Sequence, residues 1–103
     1  MTLTIQSIDE DQIVTVVLQG AVDTKTAPEL LEVLTNLKLK EISHLKIELT
    51  AVNFMSSAGL RALIFAKQKM GHESIVSVVN ANEEIKDVII KTGLSTAVSF
   101  INN

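Results

Sequence analysis

Apolar residues change their spacing several times along the chain, and each change predicts an element. Leu3 and Ile5, continuing to Ser7, alternate with polar neighbours, as in a strand whose side chains point to opposite faces in turn. Asp9-Glu10-Asp11 reads as a turn by composition. The β-branched run Ile13-Val14-Thr15-Val16-Val17-Leu18, bounded by Gly20, reads as a second strand. So short a polar connection predicts an antiparallel hairpin. Thr26-Ala27-Pro28-Glu29 has the composition of a capping box, with proline where the first-turn amides lack partners anyway. Leu30, Leu31, Val33, Leu34 and Leu37 follow at helical spacing.

A strand is predicted at Leu45-Lys46-Ile47-Glu48-Leu49, then a helix carrying Leu60, Leu63, Ile64, Lys67 and Met70, with Gly71 placed to stop it. Ile75-Val76-Ser77-Val78-Val79 is another strand. Asn82-Glu83-Glu84 opens a helix with Ile85, Val88 and Ile89 on one side and Gly93 at its close. Val98-Ser99-Phe100-Ile101 reads either as a final edge strand or as the end of a last short helix. Strands alternating with helices imply right-handed crossovers and mostly parallel pairing after the hairpin. A parallel strand covered on both faces would be apolar throughout, whereas Lys46 and Glu48 alternate with leucine and isoleucine. The expected fold is therefore α/β: a mixed, mostly parallel sheet with helices packed mainly on one face.

Length and composition narrow this picture. A chain of 103 residues suits one domain, taken as 1–103, and 47% hydrophobic against 20% charged residues argues for a packed globule. Aromatics make up only 3%, without Trp or Tyr, so the core must be aliphatic and stacking platforms for single-stranded nucleic acid are missing. A net charge of −3 without a basic patch makes nucleic acid and anionic membranes poor partners. The absence of cysteine removes disulfides, thiolate metal sites and cysteine nucleophiles. Met1-Thr2-Leu3-Thr4-Ile5 has no basic region followed by a long apolar run, and no stretch reaches the roughly 18 apolar residues of a spanning helix. Residence in the cytoplasm is expected.

Candidate chemistry gathers where strands hand over to helices at their carboxyl ends. Gly20-Ala21-Val22-Asp23-Thr24 is one such junction and Asn53 through Arg61 is the richer second. Ser56 and Ser57 sit at that turn, followed by the small residues Ala58 and Gly59. Spacing alone leaves two roles open: a serine hydroxyl caps helices readily, and it is also a phosphate acceptor whose product would meet a positive helix end and Arg61 one turn on. A hydrolase elbow requires glycine two residues before the nucleophile, where Met55 stands. His44 and His72 read as surface residues, so no enzyme is expected. Asp9, Glu10 and Asp11 lack the alternating ligands of a calcium loop, and no metal or cofactor is expected.

Asn53-Phe54-Met55-Ser56-Ser57-Ala58-Gly59-Leu60 resembles the Phe-Met-Asp-Ser-Ser-Gly-Leu run of STAS domains of the anti-sigma factor antagonist type. Leu18-Gln19-Gly20-Ala21-Val22-Asp23 is similar to their Leu-x-Gly-x-Leu/Val-Asp segment before the first helix. Length and element order agree, so the resemblance covers nearly the whole chain. It implies a partner switch. The unphosphorylated form would bind a GHKL-type serine kinase, itself often an anti-sigma factor, and free that kinase's target. Phosphorylation would break the complex and a PP2C-type phosphatase would restore it. By the motif, Ser57 is the acceptor, with Ser56 as the alternative because it stands where relatives carry aspartate. The resemblance further implies a binding face made of Asp23, Thr24, Ser56, Ser57, Ala58, Gly59, Arg61 and Gln68, on a protein that is monomeric when free. The other reading it allows is a scaffold or accessory subunit of a membrane transport system.

Overall fold

The computed structural model describes residues 3–71, 73–93 and 98–101. His72, expected at the surface, lies outside the described residues. Strand β1 spans Leu3–Glu10 and pairs antiparallel with β2, Ile13–Val22. The expected hairpin is there, but its turn is Asp11-Gln12; Asp9 and Glu10 belong to the strand and pair with Val14 and Ile13. Both turn residues have positive φ, 49° and 69°, the left-handed conformation that lets a two-residue turn follow the twist of its strands. Composition placed the turn early because acidic residues mark turns and exposed strand ends equally.

Helix α1 spans Ala27–Asn36, and a single 3-10 turn at Leu39–Glu41 leads into β3, His44–Met55. Helix α2 covers Ser57–Lys69, β4 Ile75–Val79, α3 Glu83–Lys91 and β5 Ser99–Ile101. The terminal segment left open by the sequence is thus a strand, paired parallel with β4. Strand order in the sheet is β1-β2-β3-β4-β5, with every pair after the hairpin parallel. Each crossover steps in the same direction, so right-handed connections place all three helices on one face.

That face holds the core. Leu45, Ile47 and Leu49 of β3 are wholly buried with Leu30 and Leu34 of α1, Leu60 and Leu63 of α2, and Ile85 and Ile89 of α3. The opposite face carries half-buried His44, Lys46 and Glu48, with exposed Ile8, Ile13 and Ile75. Helix α3 is capped as its sequence suggests: the Asn82 side chain accepts from the Ile85 amide at 2.8 Å, and Gly93 takes φ 81° past the last turn. Helix α2 ends differently. Met70 turns extended (φ −83°, ψ 162°) and Gly71 has no positive φ, so an abrupt exit stops the helix instead of a left-handed glycine.

Two irregularities shape the carboxyl-terminal ends of β2 and β3. The β2–β3 register slips between Val17 and Gln19 and again between Gly20 and Ala21, each time with an extra residue on β3. The strict alternation of β3 consequently gives way to burial every third residue, at Leu49, Val52 and Met55. Bulges of this kind re-aim a strand's side chains. Gly20 takes φ 110°, which a side chain would strain. The strand therefore continues well past Leu49 to Met55.

Candidate functional site

Val22 and Met55 face each other at the ends of parallel neighbours, so the two strand-to-helix junctions emerge side by side. The Ser56 amide donates to the Val22 carbonyl at 2.7 Å, tying the second junction to the first.

At the first junction Asp23 organises the turn. Its Oδ1 accepts from the amides of Lys25 and Thr26, each at 2.9 Å, and the Ala27 amide reaches the Asp23 carbonyl at 2.8 Å. Bonds to residues two and three ahead are those of a helix cap. The capping box expected at Thr26 is absent: Thr26 already has helical backbone angles (φ −96°, ψ −20°) and makes no side-chain cap. Its buried hydroxyl lies 2.8 Å from the Ala21 carbonyl and 3.1 Å from Asp23 Oδ1, and it accepts the Asp23 amide at 2.9 Å. One proton serves two acceptors, and the nearer Ala21 carbonyl is the stronger claim. The Thr26 amide, followed by the other donors, holds the Asp23 carboxyl below its ordinary range against a smaller opposing effect of desolvation. Thr24, next in line, is exposed.

The two serines of the second junction have different surroundings. Ser56 is the N-cap of α2, half-buried and extended (φ −86°, ψ 171°), with its Oγ accepting from the Gly59 amide at 3.4 Å. Ser57 is the first helical residue, is exposed, and its hydroxyl has no hydrogen-bond partner among the described residues. Gly59, expected on the binding face, is buried. A Cβ there would stand 2.6 Å from Val22 Cγ1 and 3.0 Å from Met55 Cγ, so this glycine lets α2 sit against the end of β2.

Ser57, Arg61, Phe65 and Gln68 follow at helical spacing along one side of α2. Arg61 and Gln68 are exposed, while Ala58 and Phe65 are half-buried. Thr24, Ala58 and Arg61 line a groove of about 300 Å³ between α1 and α2, floored by Ala62 and Phe65 and bounded by Leu31. Two of the three phenylalanines, Phe54 and Phe65, lie at this site without belonging to the expected binding face. Phe65 falls on the groove, and Phe54, at 45% exposure, is the penultimate residue of β3, two positions before Ser56. The available signal was aromatic scarcity: in a chain with three Phe and no Trp or Tyr, an exposed one is uncommon surface.

Another polar pair required the fold to appear. His44 Nε2 lies 2.7 Å from Ser77 Oγ across β3 and β4, and burial, with Lys46 nearby, lowers the histidine's pKa. A hydroxyl beside an imidazole can serve as nucleophile and base. Here Ser77 is 1% exposed in mid-strand, so no substrate reaches it, and the pair satisfies a buried hydroxyl instead. Among the described residues no group of acids and histidines could hold a metal ion, and no helix is long and apolar enough to cross a membrane.

Comparison with known proteins agrees with this architecture. The STAS domain family model matches residues 4–103. An anti-sigma factor antagonist from Mycobacterium paratuberculosis superposes with a TM-score of 0.86 at 29% identity, covering 97% of this chain and 86% of its own. The phosphorylated form of the Bacillus cell-fate determinant SpoIIAA superposes at 0.71 with 13% identity, over 97% of this chain and 91% of its own. The STAS domain of a SulP transporter from Vibrio cholerae superposes at 0.60 with 20% identity, over 88% and 71%. No curated protein sequence matches the chain.

Proposed function

This chain belongs to the STAS domain family, and we propose on that basis that it is a phosphorylation-controlled partner switch. Unphosphorylated, it binds a GHKL-type serine kinase that doubles as an anti-sigma factor, and so releases the kinase's target. The kinase moves the γ-phosphoryl group of ATP to Ser57 Oγ, ADP departs, and the hydroxyl proton leaves to a base of the kinase. A PP2C-type phosphatase hydrolyses the phosphoserine with water, releasing inorganic phosphate and returning the free hydroxyl. In this cycle the protein is substrate and ligand and has no turnover of its own. It works in the cytoplasm and is a monomer when free.

The observation that carries the reading is the contrast between the two serines. Ser56 is half-buried and engaged in capping, whereas the Ser57 hydroxyl is exposed and uncommitted on the first turn of α2. This favours Ser57 as acceptor over Ser56. A phosphate there would carry close to two negative charges beside a positive helix end, with Arg61 one turn away to bond it. It would also add charge and bulk next to Ala58 and one turn from Arg61, which with Thr24 line the α1–α2 groove that meets the partner.

Mass spectrometry of the protein after incubation with such a kinase and ATP tests this directly. Phosphate on Ser57 and loss of kinase binding by Ser57→Asp are expected, with Ser57→Ala binding as wild type. Equal binding by all three would refute the switch. The likeness to a SulP transporter domain supports the second reading, an accessory role in transport. Co-purification with a permease, unchanged by Ser57→Asp, would favour it.

A further inference from the structure

The α1–α2 groove does not end near Ser57. Phe65 lines the 300 Å³ groove beside Thr24 and Arg61, and it also lines a second groove of about 560 Å³ that continues toward the opposite end of the helices. Leu37 and Leu39 join Phe65 in flooring this second part, and Lys38, Lys40 and Lys69 stand around it. The track therefore runs the length of α2, whose 13 residues span about 20 Å at ~1.5 Å each.

Its charge departs from that of the protein. The chain as a whole has net charge −3, yet the track is lined by Arg61, Lys38, Lys40 and Lys69 against a single carboxylate, Glu41. Both ion pairs among the described residues lie on α3, Lys86–Glu83 and Lys91–Asp87, so these lysines form no ion pair there. The helix dipole accounts for Lys69 in the last turn of α2. It does not account for Lys38 and Lys40, which follow α1 beyond its C-cap at Leu37. Lys69 is further held over the Phe65 ring, 5.6 Å from its centroid, which fixes a cation beside the apolar floor.

We infer that this track docks an acidic amphipathic helix of the kinase partner. Its apolar side lies on Phe65, Leu31 and Leu37, and its carboxylates reach Lys38, Lys40 and Lys69. A cleft between two helices receives a third by ridge and groove, and small residues such as Ala58 and Ala62 allow close approach. The inference rests on the switch reading of Ser57 and gives it a physical cause. A dianionic phosphate at the head of a cationic track offsets Arg61 and repels the carboxylates of an acidic occupant, so one modification weakens the whole footprint.

The test uses the full chain and the purified GHKL-type kinase that phosphorylates it, with affinity followed by calorimetry. Lys38→Glu/Lys40→Glu/Lys69→Glu should bind roughly tenfold or more weakly, and its affinity should fall less with added salt than that of wild type. Lys38→Gln/Lys40→Gln/Lys69→Gln should lie between, and thermal melts check that both variants fold. Hydrogen exchange of the complex should show protection at 35–41 and 61–69. Wild-type affinity in both lysine variants, while Ser57→Asp fails to bind, overturns the acidic helix and leaves the switch standing. Wild-type affinity in Ser57→Asp removes the switch itself, and the inference with it. A change in sedimentation of the lysine variants without kinase would assign the groove to a second copy of this chain and overturn the inference.

Discussion

Replacing Gly59 with alanine isolates the contact that joins the two junctions. The new methyl would meet Val22 Cγ1 at 2.6 Å, Met55 Cγ at 3.0 Å and Val22 Cβ at 3.3 Å. Carbon atoms attract best at about 3.5–4.0 Å, so the methyl intrudes by about 1 Å. Met55 can bend away, since its side chain is unbranched and adaptable. Val22 cannot: it is wholly buried and stiff at χ1. Overpacking of this kind costs about 1–3 kcal/mol. The opposing gain, alanine over glycine in a helix, is at most about 1 kcal/mol and is smaller in the first turn. The net expectation is destabilisation by about 1–2 kcal/mol, lowering the melting temperature by about 5–10 °C for a domain of this size.

Because the chain has no Trp or Tyr, urea unfolding is best followed by far-UV circular dichroism. Val22→Ala supplies the control, since it removes the γ-carbons that the methyl strikes. The double variant should be more stable than the sum of the single losses by about 1 kcal/mol. A Gly59→Ala midpoint at or above wild type, or strict additivity with Val22→Ala, would refute the packing account.

The remaining predictions concern caps and titrating groups. Ser56→Ala removes a long cap bond of 3.4 Å and should cost only about 0.5 kcal/mol, whereas Asn82→Ala removes one of 2.8 Å and should cost about 1 kcal/mol; urea midpoints compare them. Phosphate incorporation by Ser56→Ala should match wild type, read by mass spectrometry. The Asp23 carboxyl should titrate below 3.8 in a carbon-detected NMR titration, because the Thr26 amide and its companions hold the charged form. Its contribution to stability is then complete above 3.8 and is lost as pH falls through the lowered folded value; Asp23→Asn should flatten that part of the acid-unfolding curve. His44 should titrate below 6.5, since burial disfavours its charged form. The unfolded chain takes the proton first, so stability is full above 6.5 and declines as pH falls through the folded value. Urea midpoints at successive pH values check this, and His44→Gln should remove the dependence in that window.

Much of the architecture was legible from local pattern. Alternation in β2 and in the first half of β3, helical spacing in the helices, and Asn82 and Gly93 at the ends of α3 each report a periodicity or a backbone need confined to a few neighbours. The site was legible at the level of its junctions, because parallel strands feeding helices bring their carboxyl ends to one edge. Three departures from the local pattern have identifiable physical causes: Asp9 and Glu10 extend β1 because acidic residues suit an exposed strand end as well as a turn. Thr26 looks like a cap, but its hydroxyl turns back to Ala21 and leaves capping to Asp23. The end of β3 looks like loop, but pairing with β2 carries it as strand through two register slips to Met55.

Spacing along the chain is enough for the order of elements through α3, the hairpin, the one-sided helical layer and the pair of serines at a helix start, while the closing strand β5 needed its pairing with β4. How those serines differ is set by packing. Whether a hydroxyl is spent on a cap or left in solvent depends on where α2 sits relative to β2. That placement is set by Gly59 against Val22 and by the Ser56 amide on the Val22 carbonyl, contacts between residues more than thirty positions apart. The cationic track is decided in the same way: Lys38, Lys40 and Lys69 share a groove only because α1 and α2 cover neighbouring strands of one sheet.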